Sequence, residues 1–129
     1  MARPRQKTPT KGELEILQVL WEQGPCTVRG VLDVLNARRH RAYTSVMSLL
    51  NIMNDKGLVT RKPQGRAFVY QAKKPRQSTL GGMVQHLLGG AFEGSASLLV
   101  SHVLDQSKPS ARELEEIRKA IDTYQEEML

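Results

Sequence analysis

The sequence predicts a mainly α-helical fold with a small β-hairpin, a winged helix-turn-helix followed by a helical dimerisation tail. Three observations predict it. Three amphipathic helical patterns and a pair of β-forming runs succeed one another over residues 10–72. The positive charge is concentrated in that same part of the chain. The remainder reads as helix whose apolar faces are too wide for so short a segment to cover by itself.

The first helix is marked by a capping box, with Thr10 as N-cap and Glu13 three residues later. Leu14, Leu17 and Trp21, with Ile16 and Leu20 beside them, follow at helical spacing, and Gly24-Pro25 stops the run. A second helix starts at Thr27 and presents Val28, Val31, Leu32 and Leu35 on one side. A polar connection, Asn36 to Arg41, leads to a third helix from about Tyr43 to Lys56, with Val46, Leu49, Leu50 and Met53 inward and Gly57 as a left-handed C-cap. Leu58–Arg61 and Ala67–Gln71 are rich in β-formers, and Lys62–Arg66 between them supplies the Pro and Gly of a turn.

Residues 1–9 form a basic N-terminal arm with Arg3, Arg5 and Lys7, residues 10–72 the winged helix, and residues 73–77 a linker. Pro75 makes continuous helix through that linker unfavourable. Residues 78–129 form the helical dimerisation region. Its helices span roughly Ser78–Leu88 and Ser95–Gln106, and the last opens with a second capping box, Ser110 and Glu113. A homodimer would cover the apolar positions Leu87, Leu98, Leu99, Val103, Leu114, Ile117, Ile121 and Tyr124.

The chain has 129 residues, 40% hydrophobic and 25% charged, a globular balance. Residues 1–76 hold 15 Lys and Arg against 5 Asp and Glu, a balance of +10, whereas residues 77–129 hold 4 against 8, or −4. A basic front and an acidic back point to a polyanion at one half only. No unbroken apolar stretch, Leu98-Leu99-Val100 included, is long enough to cross a bilayer, and the basic N-terminus lacks the apolar core of a signal peptide. One cysteine, Cys26, excludes an intrachain disulfide framework and a cysteine-cluster metal site. These features describe a cytoplasmic, reduced, soluble protein with no cofactor.

Thr44, Met47, Ser48 and Asn51 share the outer side of the third helix. Hydroxyls and an amide can pair with base edges, and a methionine can press on a thymine methyl group. Arg38, Arg39 and Arg41 precede that helix, where phosphates would approach its positive dipole end. Tyr43 stands at the start of the helix, and Arg61, Lys62 and Arg66 lie on the hairpin, where a wing reaches phosphate or the minor groove. Base reading is thus assigned to Thr44, Met47, Ser48 and Asn51, and backbone contact to Arg38, Arg39, Arg41, Tyr43, Arg61, Lys62 and Arg66.

Enzymatic chemistry lacks a constellation. His102 and Asp105 are helical neighbours without a nucleophile. His40 and His86 have no second ligand at metal-binding spacing. Cys26 follows Gly24-Pro25 in an apolar neighbourhood, and the glycine pairs Gly81-Gly82 and Gly89-Gly90 have no Gly-Lys-Ser/Thr of a phosphate loop.

The runs Glu13–Leu17 through Leu20-Trp21, Thr27-Val28-Arg29, Ala42–Met47 with Leu49-Leu50-Asn51, Lys56–Val59 and Gly65–Tyr70 resemble the BlaI/MecI/CopY penicillinase-repressor family. Gly94-Ser95, Leu99-Val100, His102 and Glu113–Ile117 extend the likeness into the tail. The resemblance implies a homodimeric transcriptional repressor whose winged helix reads a palindromic double-stranded DNA operator. It also implies a sensor protease as a partner, which in the best-known members detects β-lactam and cuts the tail. Thr44, Met47 and Ser48 fall on the family's recognition-helix positions and Arg66 on its wing. Four departures stand out: no cysteine follows Cys26, no Asn-Phe peptide occurs, Gly30 replaces a frequent Glu, and Ile52 replaces a frequent Arg. The Cys-x-Cys switch of the copper-responsive members of that family is therefore absent, and a β-lactam response does not carry over. The alternative reading is a winged-helix protein-interaction adaptor without specific DNA binding, which calls for an apolar or acidic recognition face.

Overall fold

The structure is a computed structural model that describes residues 8–129; the basic residues Arg3, Arg5 and Lys7 lie outside the described residues. Its elements are α1 (Lys11–Gln23), α2 (Val28–Asn36), α3 (Tyr43–Lys56), β1 (Val59–Gln64), β2 (Ala67–Ala72), α4 (Arg76–Gly90), α5 (Ala96–Ser107) and α6 (Ala111–Met128). They divide into two compact units, the first ending at His86 and the second comprising Leu87–Leu129.

In the first unit the local signals act as read. The Thr10 hydroxyl accepts from the Glu13 N–H at 3.3 Å, and Glu13 Oε1 accepts from the Thr10 N–H at 2.9 Å, closing the capping box. Gly24, at φ 82°, ends α1, and Gly57, at φ 79°, ends α3 in the left-handed conformation that favours glycine. Thr27 caps α2 by accepting from the Gly30 N–H at 3.1 Å; glycine has no side chain to return the bond.

Ile16, Leu17, Val19 and Leu20 of α1, Val28, Val31, Leu32 and Leu35 of α2, and Val46, Leu50 and Met53 of α3 form one core with Val59 and Tyr70. Trp21 and Leu49, both expected inward, are half-buried at its edge. The indole Nε1 of Trp21 donates to the Lys74 carbonyl at 3.0 Å, tying α1 to the chain after the hairpin.

Glu13 is buried in this unit, and Lys56 Nζ lies 2.7 Å from its Oε1. Burial works to raise the Glu13 carboxyl. The hydrogen bonds from Lys56 and Thr10, with the lysine charge, outweigh it and hold the group below its ordinary range. The pair pins the start of α1 to the end of α3.

The hairpin differs from expectation. β1 continues through Lys62, Pro63 and Gln64, and Gln64 pairs with Ala67, so the turn is only Gly65-Arg66. Gly65 has φ 61°, the positive value that a type II′ turn requires at its first central position. Pro63 is tolerated because β1 pairs only with β2 and keeps its other edge unpaired. Cys26 adds an antiparallel bridge to Tyr70, with bonds of 2.9 and 2.8 Å, so the α1–α2 loop is laced to the wing. Burial pushes the Cys26 thiol up, and its Sγ donates to the Gly24 carbonyl at 3.3 Å.

The linker is shorter than expected, because β2 reaches Ala72 and α4 begins at Arg76. Pro75 precedes the helix and does not interrupt one. Its carbonyl accepts from the Ser78 and Thr79 N–H groups at 3.1 and 3.3 Å, and its fixed φ suits a helix start.

In the second unit, Ser95 caps α5 by accepting from the Leu98 N–H, and Ser110 caps α6 by accepting from the Glu113 N–H at 3.2 Å. The latter is the serine half only of the expected capping box; the glutamate half is not formed among the described residues. The His102 ring meets Phe92 edge-on at 5.4 Å. None of the side chains of this unit is buried. Leu87, Leu98, Val103, Ile121 and Tyr124 are between 45 and 63% exposed, while Leu99, Leu114 and Ile117 are half-buried.

Candidate nucleic-acid interface

The outer face of α3 follows from its inner one. With Val46, Leu50 and Met53 fully buried, the helical period of about 3.6 residues turns Thr44, Met47, Ser48 and Asn51 outward, and all four are exposed. Ala42, the N-cap of α3, offers no side-chain acceptor. The first N–H groups and the positive dipole end are thereby left available to an anion.

The wing rises beside this face. Register pairs Arg61 with Tyr70 and Pro63 with Phe68, so these four residues share one side of the ribbon, and Lys62, paired with Val69, takes the other. Between α3 and the wing lies an open groove of about 550 Å³, bordered by Tyr43, Met47, Asn51, Arg61, Arg66 and Phe68. Asp55 stands at the same groove, the one acidic group on its border.

Arg61 is the keystone of that junction. Its guanidinium lies over the Phe68 ring at 4.4 Å and its Nη1 donates to Asn51 Oδ1 at 3.1 Å and to the Tyr70 hydroxyl at 3.5 Å. The Tyr70 hydroxyl donates in turn to Asn51 Oδ1 at 3.4 Å. Asn51 thus links α3 to the wing.

The three arginines before α3 separate. Arg38 and Arg39 are exposed in the connection. Arg41 is half-buried: one guanidinium nitrogen pairs with Glu15 of α1 and the other donates to the Leu35 carbonyl at 3.3 Å. The Arg41 backbone N–H donates to Asn36 Oδ1 at 2.8 Å, so this residue shapes the turn between α2 and α3. Arg66 is exposed at the wing tip, while Lys62 borders a different depression with Thr60, Val69 and Gln71.

Three residues of this candidate interface are not singled out by the sequence. Arg29 of α2 is exposed and sits over the Tyr43 ring at 5.3 Å, and Phe68 and Tyr70 hold Arg61. A two-residue turn would have announced the latter two, since it sets Arg61 opposite Tyr70 and diagonal to Phe68. No group of three or more His, Cys, Asp or Glu side chains able to hold a metal ion occurs among the described residues. No described helix is long and apolar enough to cross a membrane.

Comparison with known proteins agrees with this architecture. The penicillinase repressor family model matches residues 9–123. The chain is 32% identical over 114 residues to the transcriptional regulator BlaI of Mycobacterium tuberculosis, covering 85% of this chain and 81% of that protein. Among solved structures it is similar to a mutant MarR from E. coli, with a TM-score of 0.52 at 14% identity over 90% of this chain and 77% of that one. The monomeric form of Bacillus licheniformis BlaI, solved in complex with the blaP half-operator, has a TM-score of 0.48 at 22% identity, covering 60% of this chain and 92% of that one. A winged helix, matched by one family along nearly its whole length, places the chain in the penicillinase repressor family of DNA-binding transcriptional repressors.

Proposed function

We infer that this repressor acts as a homodimer on a palindromic operator, each protomer laying α3 in a major groove and its wing along the flanking backbone. The observation that carries the reading is the exposed Thr44–Met47–Ser48 face beside a wing bearing Arg61 and Arg66. Hydroxyl and apolar groups read base edges, and the arginines neutralise phosphate. Two half-sites one helical turn apart, or a multiple of it, follow from a dimer that presents two such helices. The unburied apolar positions of α5 and α6 support dimerisation through the second unit, since two chains can cover what one leaves open. A sensor protease, which the family resemblance implies, would relieve repression by cutting the tail and so undoing that dimer.

Selection from a random duplex pool at two salt concentrations tests this reading. An enriched inverted repeat, bound with a logarithmic salt slope of about −0.9 per neutralised phosphate, is the expected result. Unenriched binding would leave a sequence-blind architectural role, and no duplex binding at either salt would favour the protein-interaction adaptor.

Two substitutions separate the contact types. Ser48→Ala is expected to cost on the order of 1 kcal/mol on the operator and to relax preference at one base position, with no loss on random DNA. Equal losses on both would remove Ser48 from base reading. Arg66→Ala is expected to weaken all sequences alike and to reduce the salt slope by about one phosphate.

A further inference from the structure

We propose that Asn51 reads only hydrogen-bond acceptors on the bases, because the wing occupies its carbonyl oxygen, and that Arg61 and Tyr70 thereby set the base preference of α3. The proposal rests on the reading of α3 as the recognition helix and adds the chemistry of one of its contacts.

The direction of each bond is fixed by chemistry. A guanidinium has donors and no acceptor, so the Asn51 atom 3.1 Å from Arg61 Nη1 is the oxygen and not the amide nitrogen. Tyr70 accepts from Arg61 at 3.5 Å, which leaves its own hydroxyl proton for Asn51 Oδ1 at 3.4 Å. Both lone pairs of the carbonyl oxygen are then faced by donors.

The donors are themselves held. Tyr70 is 2% exposed, with its backbone bonded to Cys26, and the Arg61 guanidinium rests on Phe68 at 4.4 Å. Asn51 is exposed, and the half of its amide that is free is the NH2 group, two donors.

An unrestrained asparagine pairs with adenine through both of its halves, accepting from N6 while donating to N7. That pairing requires the oxygen already taken here. Guanine N7 and O6 and thymine O4 are acceptors alone, and they match what Asn51 has left. At the base this side chain meets, guanine or thymine is therefore favoured over adenine.

The test is selection from a random duplex pool with the full chain, comparing wild type, Asn51→Ala, Arg61→Met and Arg61→Met with Tyr70→Phe. Base preference is a ratio at one position, so the general loss of affinity from removing the Arg61 charge cancels. Arg61 is exposed and Tyr70→Phe keeps the buried ring, and thermal melting of each variant confirms folding.

The wild type is expected to enrich guanine or thymine at one position that becomes indifferent in Asn51→Ala. In the double variant adenine is expected to gain about tenfold over guanine at that position, with a smaller gain for Arg61→Met alone.

Adenine already dominant there in the wild type would overturn the proposal. So would an operator in which no position responds to Asn51→Ala, which would make the residue a tether between helix and wing and leave the repressor reading intact. A preference unchanged in the double variant would likewise overturn the part given to Arg61 and Tyr70. If no protein enriches any sequence, the repressor reading itself fails and this inference falls with it.

Discussion

Ile121→Asp is expected to convert a dimer into a monomer and to weaken binding to the full operator by at least about a hundredfold. Ile121 lies on α6 and is 51% exposed in the single chain, so an aspartate there disturbs little within the protomer. At a dimer interface the same aspartate would bring an uncompensated charge into an apolar contact, which costs several kcal/mol by order of magnitude. The loss on DNA comes from linkage between half-sites. Once one winged helix is bound, a dimer presents the second at a high effective concentration, and a monomer does not. Light scattering reads the oligomeric state, and titration of full and half operators reads the consequence. Half-operator affinity is expected to stay unchanged, since α3 and the wing belong to the other compact unit. A variant that remains dimeric would move the interface to the other exposed apolar positions, Leu87, Leu98 and Val103.

Lys56→Met is expected to destabilise the winged helix by about 3 kcal/mol at neutral pH, and by much less in acid. The substitution removes the ammonium 2.7 Å from Glu13 Oε1 and leaves a carboxylate that is 1% exposed with only Thr10 as a partner. In the wild type the folded carboxyl titrates below the ordinary value of 4.5. Its contribution to stability is therefore fully present above pH 4.5 and is lost as pH falls through the folded value. In the variant the hydrogen bond and charge of Lys56 no longer oppose desolvation, so the folded carboxyl is expected to titrate higher than in the wild type. The cost of losing the pair is therefore greatest at neutral pH and shrinks as the carboxyl is protonated. Urea unfolding of both proteins at pH 7 and pH 4 measures this, and a stability gap that widens in acid would contradict the account. Because the pair joins α1 to the C-terminal end of α3, loss of operator affinity is expected to accompany loss of stability and to be restored at low temperature.

The elements that the sequence made legible are those held by neighbours a turn apart. Thr10 and Glu13 are three residues apart, and their reciprocal bonds form as read. Gly57 closes α3 because only the local φ matters there. The inner face of α3 and its outer face are one periodicity seen from two sides, so Thr44, Met47 and Ser48 were found without knowledge of the fold.

The hairpin was less legible. Pro63 argues against a strand in the interior of a sheet, and that argument fails in a ribbon whose strands are both edges. A turn spanning Lys62–Arg66 implies a different register, and the neighbours of Arg61 follow only from the Gly65-Arg66 turn.

What the sequence determined by itself is the order of helices and hairpin, the basic front against the acidic back, and which side of α3 faces out. Each of these depends on contacts within a turn or on composition. Only the tertiary structure decided that Arg41 serves Glu15 and the Leu35 carbonyl, and that Asn51 is engaged by Arg61 and Tyr70. A long charged side chain can satisfy itself with any acceptor within its reach, and which acceptor comes within reach is set by how helices and hairpin pack around Leu50, Val59 and Tyr70.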